Sequence, residues 1–282
     1  MTQHGKESHM KHIEEVLLFP QGKGKRDFLR SDGIWDFIGG ETDAGMSQME
    51  PETSKYQGKY QSVATAQSYN IGYKERKQKR TQKEIAILSR LLAGHAPAET
   101  VLDMPCGGGR LSHVISEFAR SIIEMDLALG QLLYGRETSR ISSPQIWIRA
   151  SGFQIPLKDN SVDGSLCIRL SHHLYSLDEK EKLISELLRV SRHFVIFSFV
   201  DSASLKYTLR RWRHMLTGAP LKTNSITVRE LRKISKKYGG DIVTCPAIGP
   251  FQAHRYALIV KQDQTEEQTQ GVLSKPSLQR LV

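Results

Sequence analysis

A chain of 282 residues with 39% hydrophobic residues is long enough for one α/β domain with extensions and too apolar for wholesale disorder. Its three cysteines, Cys106, Cys167 and Cys245, are widely spaced and form no CxxC pair, which argues against a disulfide framework or a zinc knuckle and favours a reducing, cytoplasmic setting. The net charge of +10 is uneven, because residues 201–240 hold ten Lys and Arg residues against two acidic ones. That region can attract phosphate, an acidic lipid surface or nucleic acid, or it can be a solvated helical face.

The N-terminal quarter shows little regular pattern. Residues 1–55 have no sustained periodicity, and we predict a poorly ordered or loosely docked arm there, with Val16-Leu17-Leu18-Phe19 as its only apolar segment. A helical cap is predicted over residues 56–98, with a helix that begins at the capping-box pattern Thr81-Gln82-Lys83-Glu84 and ends before Gly94.

Residues 99–261 alternate short apolar runs with helical segments, which is typical of βα units. We predict a mostly parallel, seven-stranded sheet with helices on both faces. Its strands are predicted at 100–104, 121–125, 145–149, 163–168, 194–200, 241–247 and 255–261. Capping boxes at residues 176–179 and 227–230 begin two of the helices. A basic insert is predicted at about 201–226 and a flexible tail over 262–282. The longest apolar run, 194–200, is too short to span a bilayer, so no transmembrane segment is expected.

The most specific motif is the turn after the first of these predicted strands. Val101-Leu102-Asp103 leads into Met104-Pro105-Cys106-Gly107-Gly108-Gly109, and a helical pattern follows. Glycines in such a turn let a ligand approach the bare backbone in front of a helix N-terminus. A tight βα connection without a ligand produces the same glycine cluster, so the turn needs a second signal.

Asp126 supplies that signal, since it is expected where the second strand ends. A carboxylate there can accept both hydroxyls of a ribose through charge-assisted hydrogen bonds worth about 1.5–3 kcal/mol each. The other interpretation is a helix cap in front of Leu127-Ala128-Leu129, and one carboxylate can do both. Together, the turn and Asp126 indicate an adenosine-type cofactor at the carboxyl edge of a parallel sheet.

A third motif completes a resemblance to a known family. The chain resembles the class I S-adenosylmethionine-dependent methyltransferases over about residues 69–200, particularly the branch acting on small molecules, quinones and lipids. The matching residues are Leu102-Asp103, Cys106-Gly107, Gly109, Asp126, Ile155-Pro156, Asp159-Asn160-Ser161, Asp163 and His172-His173-Leu174. The chain departs from the family pattern at Pro105, which replaces a turn glycine, and at Ser151, which replaces a frequent adenine-binding acid. It departs again at Ser191-Arg192-His193, where the family usually has Pro-Gly-Gly.

The resemblance implies a Rossmann-like fold, S-adenosyl-L-methionine as cofactor, and in-line methyl transfer to a small-molecule or lipid-like acceptor, which can be anionic. No metal is expected, because the adjacent His172 and His173 would need further ligands that the sequence does not show. The implied cofactor-binding residues are Asp103, Met104, Pro105, Cys106, Gly107, Gly109, Asp126, Leu127, Ser151, Gly152, Phe153 and Arg169. Tyr69 lies in the segment that covers the cofactor in relatives, unless it belongs to a solvated basic face.

Two further sets of residues are candidates for catalysis and substrate binding. A hydroxyl nucleophile would need a general base, for which His172 and His173 are the nearest candidates and His254 the third, although the pair can also be structural. Insertions after the fifth strand often form a substrate lid in this fold. The residues of this chain in that position are Tyr207, Arg210, Arg211 and Trp212, and their alternative is a surface helix.

Three other functions stay open on the sequence. A nicotinamide dehydrogenase would require glycine at position 112, which is Ser112. A DNA or RNA methyltransferase could use the basic region 201–240, but Arg169-Leu170-Ser171-His172 stands where amino-directed enzymes have an Asn/Asp-Pro-Pro-aromatic tetrapeptide. A non-catalytic cofactor-binding protein would have the same pocket, and only turnover distinguishes it.

Overall fold

The computed structural model describes residues 15–38, 60–218 and 224–262, with the side chains of residues 74–76, 206 and 210 left out. The described residues contain eight strands. They are β1 Ile34–Asp36, β2 Ala98–Asp103, β3 Ala119–Asp126, β4 Gln145–Arg149, β5 Val162–Cys167, β6 Ser191–Val200, β7 Gly240–Thr244 and β8 His254–Lys261. One sheet joins them in the order β1-β4-β3-β2-β5-β6-β8-β7. The strands from β1 to β6 pair in parallel, whereas β8 is antiparallel to both β6 and β7. The predicted mostly parallel α/β sheet is confirmed, with eight strands where seven were predicted.

Consecutive residues of the central strands point to opposite faces of the sheet, and both faces are buried. Val101 belongs to a buried cluster that includes the helical residue Leu88 on one face, while the next residue, Leu102, belongs to the cluster that includes Leu183 on the other. This alternation follows from the period of two in a strand. Two covered faces explain why the strands read as nearly continuous apolar runs.

The unpredicted strand is β1, which lies in the segment expected to be a poorly ordered or loosely docked arm. Ile34 is fully buried and pairs with Trp147 of β4. Phe28 stacks against Phe37 with ring centroids 4.8 Å apart. Residues 15–38 are therefore part of the folded domain. A three-residue strand is too short to show alternation, so the sequence could not reveal it. Residues 1–14 and 39–55, and the predicted tail from residue 263, lie outside the described residues.

Six α-helices connect and flank the described strands. They are α1 Val63–Ala93, α2 Ser112–Ile115, α3 Leu129–Thr138, α4 Leu177–Val190, α5 Leu205–Thr217 and α6 Val228–Lys237. The capping boxes predicted for α4 and α6 are both present, at Ser176 and Thr227. None of the helices that the structure describes combines the length and the apolar character needed to cross a bilayer.

Helix α1 begins 18 residues before its predicted start. Its N-cap is Ser62, whose side chain accepts a hydrogen bond from the Thr65 backbone N–H. The predicted start at Thr81 is wrong, because Thr81 lies inside the helix. Glu84, which completed the apparent capping box, is fully buried and pairs with arginines instead.

Candidate active site

A cavity of about 250 Å³ opens at the carboxyl ends of β2, β3, β4 and β5, with α1 along its other side. This is the edge at which open α/β sheets bind their ligands. Most of the cofactor residues expected from the sequence line it. They are Met104, Pro105, Cys106, Gly107, Asp126, Leu127, Ser151, Gly152, Phe153 and Arg169. The two exceptions, Asp103 and Gly109, are not among the residues that line it.

The glycine turn brings bare backbone to the cavity. Gly107 has a φ of +56°, in the left-handed region that glycine adopts without steric cost. Gly108 is required for a different reason. A Cβ atom added there would lie 2.7 Å from Asn70 Nδ2 and 2.8 Å from Tyr134 Cδ1, so α1 and α3 both pack directly on this turn.

Asp103 is the last residue of β2 and is buried behind the turn. Neither of its carboxylate oxygens has a hydrogen-bond partner within the described part of the chain. Burial raises its pKa well above the ordinary range, and the charge of Glu124, its register partner on β3, raises it further. An unpaired carboxylate in this position fits a ligand that brings its own cationic donor, since a buried charge is costly unless it is paired.

Asp126 lines the cavity and also holds the turn together. Its Oδ2 atom accepts a hydrogen bond of 2.9 Å from the Gly107 N–H, and Oδ1 accepts one of 2.8 Å from the Ala128 N–H at the start of α3. Burial raises the pKa of this carboxyl group. A carboxylate offers about four acceptor positions, so these two backbone bonds leave capacity for two further donors. The capping role and a ribose-binding role are thus compatible.

The end of β4 supplies an apolar wall. Ser151 and Phe153 are both largely buried. The Ser151 hydroxyl accepts a hydrogen bond of 3.3 Å from the Phe153 N–H, so this side chain supports the loop that presents the Phe153 ring.

Helix α1 forms a wall of the cavity that the sequence only partly indicated. Tyr69, Asn70 and Tyr73 all line it, which places Tyr69 at the pocket and not on a purely solvated face. Asn70 is buried and donates a hydrogen bond of 2.8 Å to Gln131 Oε1 on α3. Asn70 and Tyr73 were not predicted, because single polar and aromatic residues in a helix carry no signal of a ligand site.

Glu84 holds two cations of the cavity in place. This fully buried carboxylate pairs with Arg110 at 2.6 Å and with Arg169 at 2.9 Å, and it accepts a hydrogen bond of 2.6 Å from the Tyr256 hydroxyl. Both guanidinium groups also lie near the Tyr73 ring, with their Cζ atoms 5.5 and 5.1 Å from its centroid. Two cations share one carboxylate, so this side of the cavity can receive an anionic group.

The structure separates the two candidate histidines. His173 lines the cavity, whereas His172 does not. The ring centroids of His172 and His173 are 4.0 Å apart. Burial, with a smaller contribution from the neighbouring His173, lowers the pKa of His172 to about 3. Burial likewise lowers the pKa of His254 to about 3, and its ring centroid is 6.4 Å from that of His172. Both groups are neutral near pH 7, and a base with so low a pKa holds a proton poorly.

The expected substrate residues lie on α5 and are not part of the cavity wall. Tyr207 and Arg211 are on this helix, and the Trp212 side chain is 66% exposed. The side chain of Arg210 lies outside the described residues. The substrate-lid role of this helix therefore stays a prediction.

Comparison with known proteins identifies the class. Residues 102–198, which contain the turn, Asp126 and both histidines, match the family model described as a methyltransferase domain. No curated protein sequence matches the chain. The fold resembles that of magnesium protoporphyrin IX methyltransferase from Synechocystis PCC 6803 with bound S-adenosylhomocysteine, with a TM-score of 0.58 and 16% identity over 75% of this chain and 100% of that one. It also resembles the N-methyltransferase NodS from Bradyrhizobium japonicum WM9, with a TM-score of 0.51 and 13% identity over 64% of this chain and 87% of that one.

Residues 102–198 form a methyltransferase domain of the S-adenosylmethionine-dependent type, in a chain with the fold of class I methyltransferases. Its cofactor is S-adenosyl-L-methionine. The two solved structures support the assignment of the fold, and the match over residues 102–198 supports the assignment of the methyltransferase domain.

Proposed function

We propose that this methyltransferase acts on a small-molecule or lipid-like acceptor that enters the cavity between the glycine turn and α1. The observation that carries the proposal is the shape of the site. A cavity of about 250 Å³ that Tyr69 and Tyr73 line along α1 suits part of a compact, partly apolar molecule. The structurally similar Synechocystis enzyme is named for such an acceptor, a magnesium protoporphyrin.

The residues around the turn fit the cofactor. The unpaired Asp103 carboxylate would receive its amino group, and the remaining acceptor positions of Asp126 would receive the ribose hydroxyls. Gly107 would allow contact with bare backbone, and Phe153 would cover the adenine. When bound, S-adenosylmethionine supplies a methyl group that is already activated by the sulfonium, so the chain contributes chiefly binding and orientation.

The wall formed with α1 would position an anionic group. Arg110 and Arg169 are fixed by Glu84 and cannot swing away without breaking buried ion pairs. His173 is the candidate group to accept a proton from a hydroxyl acceptor, because it faces the cavity and His172 does not. Tyr73 packs beneath both guanidinium groups and would hold them apart from bulk water.

Calorimetric titration with S-adenosylhomocysteine, beside NADH as a control, tests the cofactor site first. We expect micromolar binding of the former alone, and tight binding of NADH alone would contradict the proposal. Transfer of a labelled methyl group then tests the acceptor class. The acceptors compared are small hydroxylated molecules, quinones and lipids on one side and RNA and DNA on the other. Labelling of nucleic acid with a steep salt dependence would favour a nucleic-acid methyltransferase using residues 201–240. Binding without turnover on any acceptor would favour a non-catalytic cofactor-binding protein.

A further inference from the structure

Helix α5 has an apolar stripe that faces outward. Leu205, Leu209, Trp212 and Leu216 follow one another at helical spacing, and their side chains are 55%, 62%, 66% and 82% exposed. Met215 lies beside them and is also exposed. In a helix that packs on its own domain, such a stripe faces the core. Here the amphipathic pattern is present and its apolar side is presented to the surroundings.

The charge of the same helix is of one sign. Residues 205–217 include four Lys and Arg residues and no Asp or Glu. Arg211 and Arg213 are exposed, and Arg229 is exposed in the first turn of α6. The parallel bridge between Asp201 and Ile226 sets the start of α6 beside the end of β6, close to where α5 begins. Exposed cationic side chains of α5 and α6 therefore lie near the apolar stripe.

Other exposed apolar side chains collect at this edge of the sheet. Phe251, 75% exposed, lies in the turn before β8, whose first residue, His254, pairs with Val200 at the end of β6. Tyr175, 51% exposed, follows the short 3₁₀ turn after β5. Because β5 and β6 are parallel, their carboxyl ends meet at the edge where the cavity opens. A surface that buried α5 would therefore also approach the mouth of the cavity.

We propose that α5 docks on the surface of an anionic lipid bilayer. An amphipathic helix with Trp and Leu on one side and Arg and Lys on the other lies in the interface of such a bilayer, its apolar side at the acyl boundary and its cations near anionic headgroups. A nucleic acid would use the cations and leave Leu209 and Leu216 in water. A second copy of the chain would bring a second set of cations against the first, since no acidic residue in α5 could pair with them. A bilayer uses both features at once.

Trp212 provides a built-in probe of this docking. The chain has three tryptophans, and Trp35 and Trp147 are each only 4% exposed, so a change in the polarity around an exposed tryptophan reports on Trp212. The full chain is mixed with vesicles of equal parts phosphatidylglycerol and phosphatidylcholine, and with vesicles of phosphatidylcholine alone. We expect cosedimentation and a blue shift of tryptophan emission with the anionic vesicles only, weakened by high salt. The Trp212→Phe variant should still sediment without the shift. Failure to sediment with anionic vesicles, or equal sedimentation with neutral ones, overturns the proposal.

Paired variants assign the effect to α5. Leu209→Glu combined with Leu216→Glu should reduce vesicle binding about tenfold or more, whereas Leu209→Met with Leu216→Met should retain it. Arg211→Glu combined with Arg213→Glu should reduce vesicle binding by a similar factor, whereas Arg211→Lys combined with Arg213→Lys should retain it. Undiminished binding by the Glu variants overturns the proposal, as does a dimer or an RNA complex that forms without vesicle binding. S-adenosylhomocysteine affinity, measured on every variant, should not change, so the result is independent of the proposed methyl acceptor.

Discussion

Glu124 is the residue whose replacement tests the electrostatics of the buried site most directly. It is fully buried on β3, its Oε1 atom accepts a hydrogen bond of 2.9 Å from Gln145, and its Oε2 atom has no partner in the described part of the chain. Burial raises its pKa from 4.5 to about 7. Glu124→Gln has nearly the same shape and keeps an acceptor for Gln145, but it cannot ionise.

The sign of the pH effect follows from the raised pKa. Between pH 4.5 and about pH 7 the folded protein holds a proton on Glu124 that the unfolded chain has released, so the free energy of unfolding falls as the pH rises through this window. Each unit of pKa shift corresponds to about 1.4 kcal/mol, so the free energy of unfolding of the wild type is lower by about 3 kcal/mol at pH 8 than below pH 4. Part of this decrease in stability belongs to the titration of Asp103, because the two carboxyl groups titrate as a pair.

Urea unfolding at pH 5, 6, 7 and 8 measures the effect. Relative to the wild type, we expect Glu124→Gln to gain about 2–3 kcal/mol in the free energy of unfolding between pH 5 and pH 8, since a small part of the total effect is already present at pH 5. The exposed Glu117→Gln is the matched control and should differ from the wild type by the same small amount at every pH. A difference between Glu124→Gln and wild type that does not change with pH would refute the reasoning.

Three further substitutions test the site. Asp126→Ala should weaken S-adenosylhomocysteine binding by about 2 kcal/mol, or about thirtyfold, in calorimetry; unchanged affinity would mean that the carboxylate only tethers the turn. Gly107→Val should leave a folded protein that binds no S-adenosylhomocysteine, because a β-branched residue is strained at a φ of +56° and would crowd the cavity. Normal affinity in this variant would show that the turn does not contact the cofactor. Glu84→Gln should lower the free energy of unfolding by about 3 kcal/mol, since Arg110 and Arg169 would lose their shared buried carboxylate. A loss below about 1 kcal/mol in urea unfolding would show that solvent already compensates both arginines.

The sheet could be predicted because its signals are local. A central strand such as β6 is a run of apolar residues in the sequence, and the capping boxes of α4 and α6 occupy four residues each. The strand β1 has no such signal, since its burial depends on contacts with Trp147 and with aromatic residues of the same short segment. The start of α1 was missed because Thr81 and Glu84 fit a capping box equally well, and only the tertiary partners of Glu84 decide between the two structures.

The same distinction applies to the site. Residues from the glycine turn, from the end of β3 and from the loop after β4 could be placed at the cavity because each belongs to a contiguous motif. Asn70 and Tyr73 belong to no motif, and in the sequence they look like residues of a solvated helix. For the two histidines, a motif was present, but the sequence could not show which of them lines the cavity. They are adjacent in sequence and equivalent as candidates, and the 3₁₀ turn at 171–173 directs only His173 to the cavity.

Helix α1 belongs to the catalytic domain more closely than a separate cap would. One carboxylate of this helix, Glu84, joins Arg110 directly after the glycine turn, Arg169 after the end of β5 and Tyr256 from β8. Asn70, four turns earlier in the same helix, reaches the glycine turn and α3. The helix therefore sets the position of both cations of the cavity and supports the glycine turn that lines it. The boundary predicted between a helical cap at 56–98 and a domain beginning at 99 runs between side chains that contact one another.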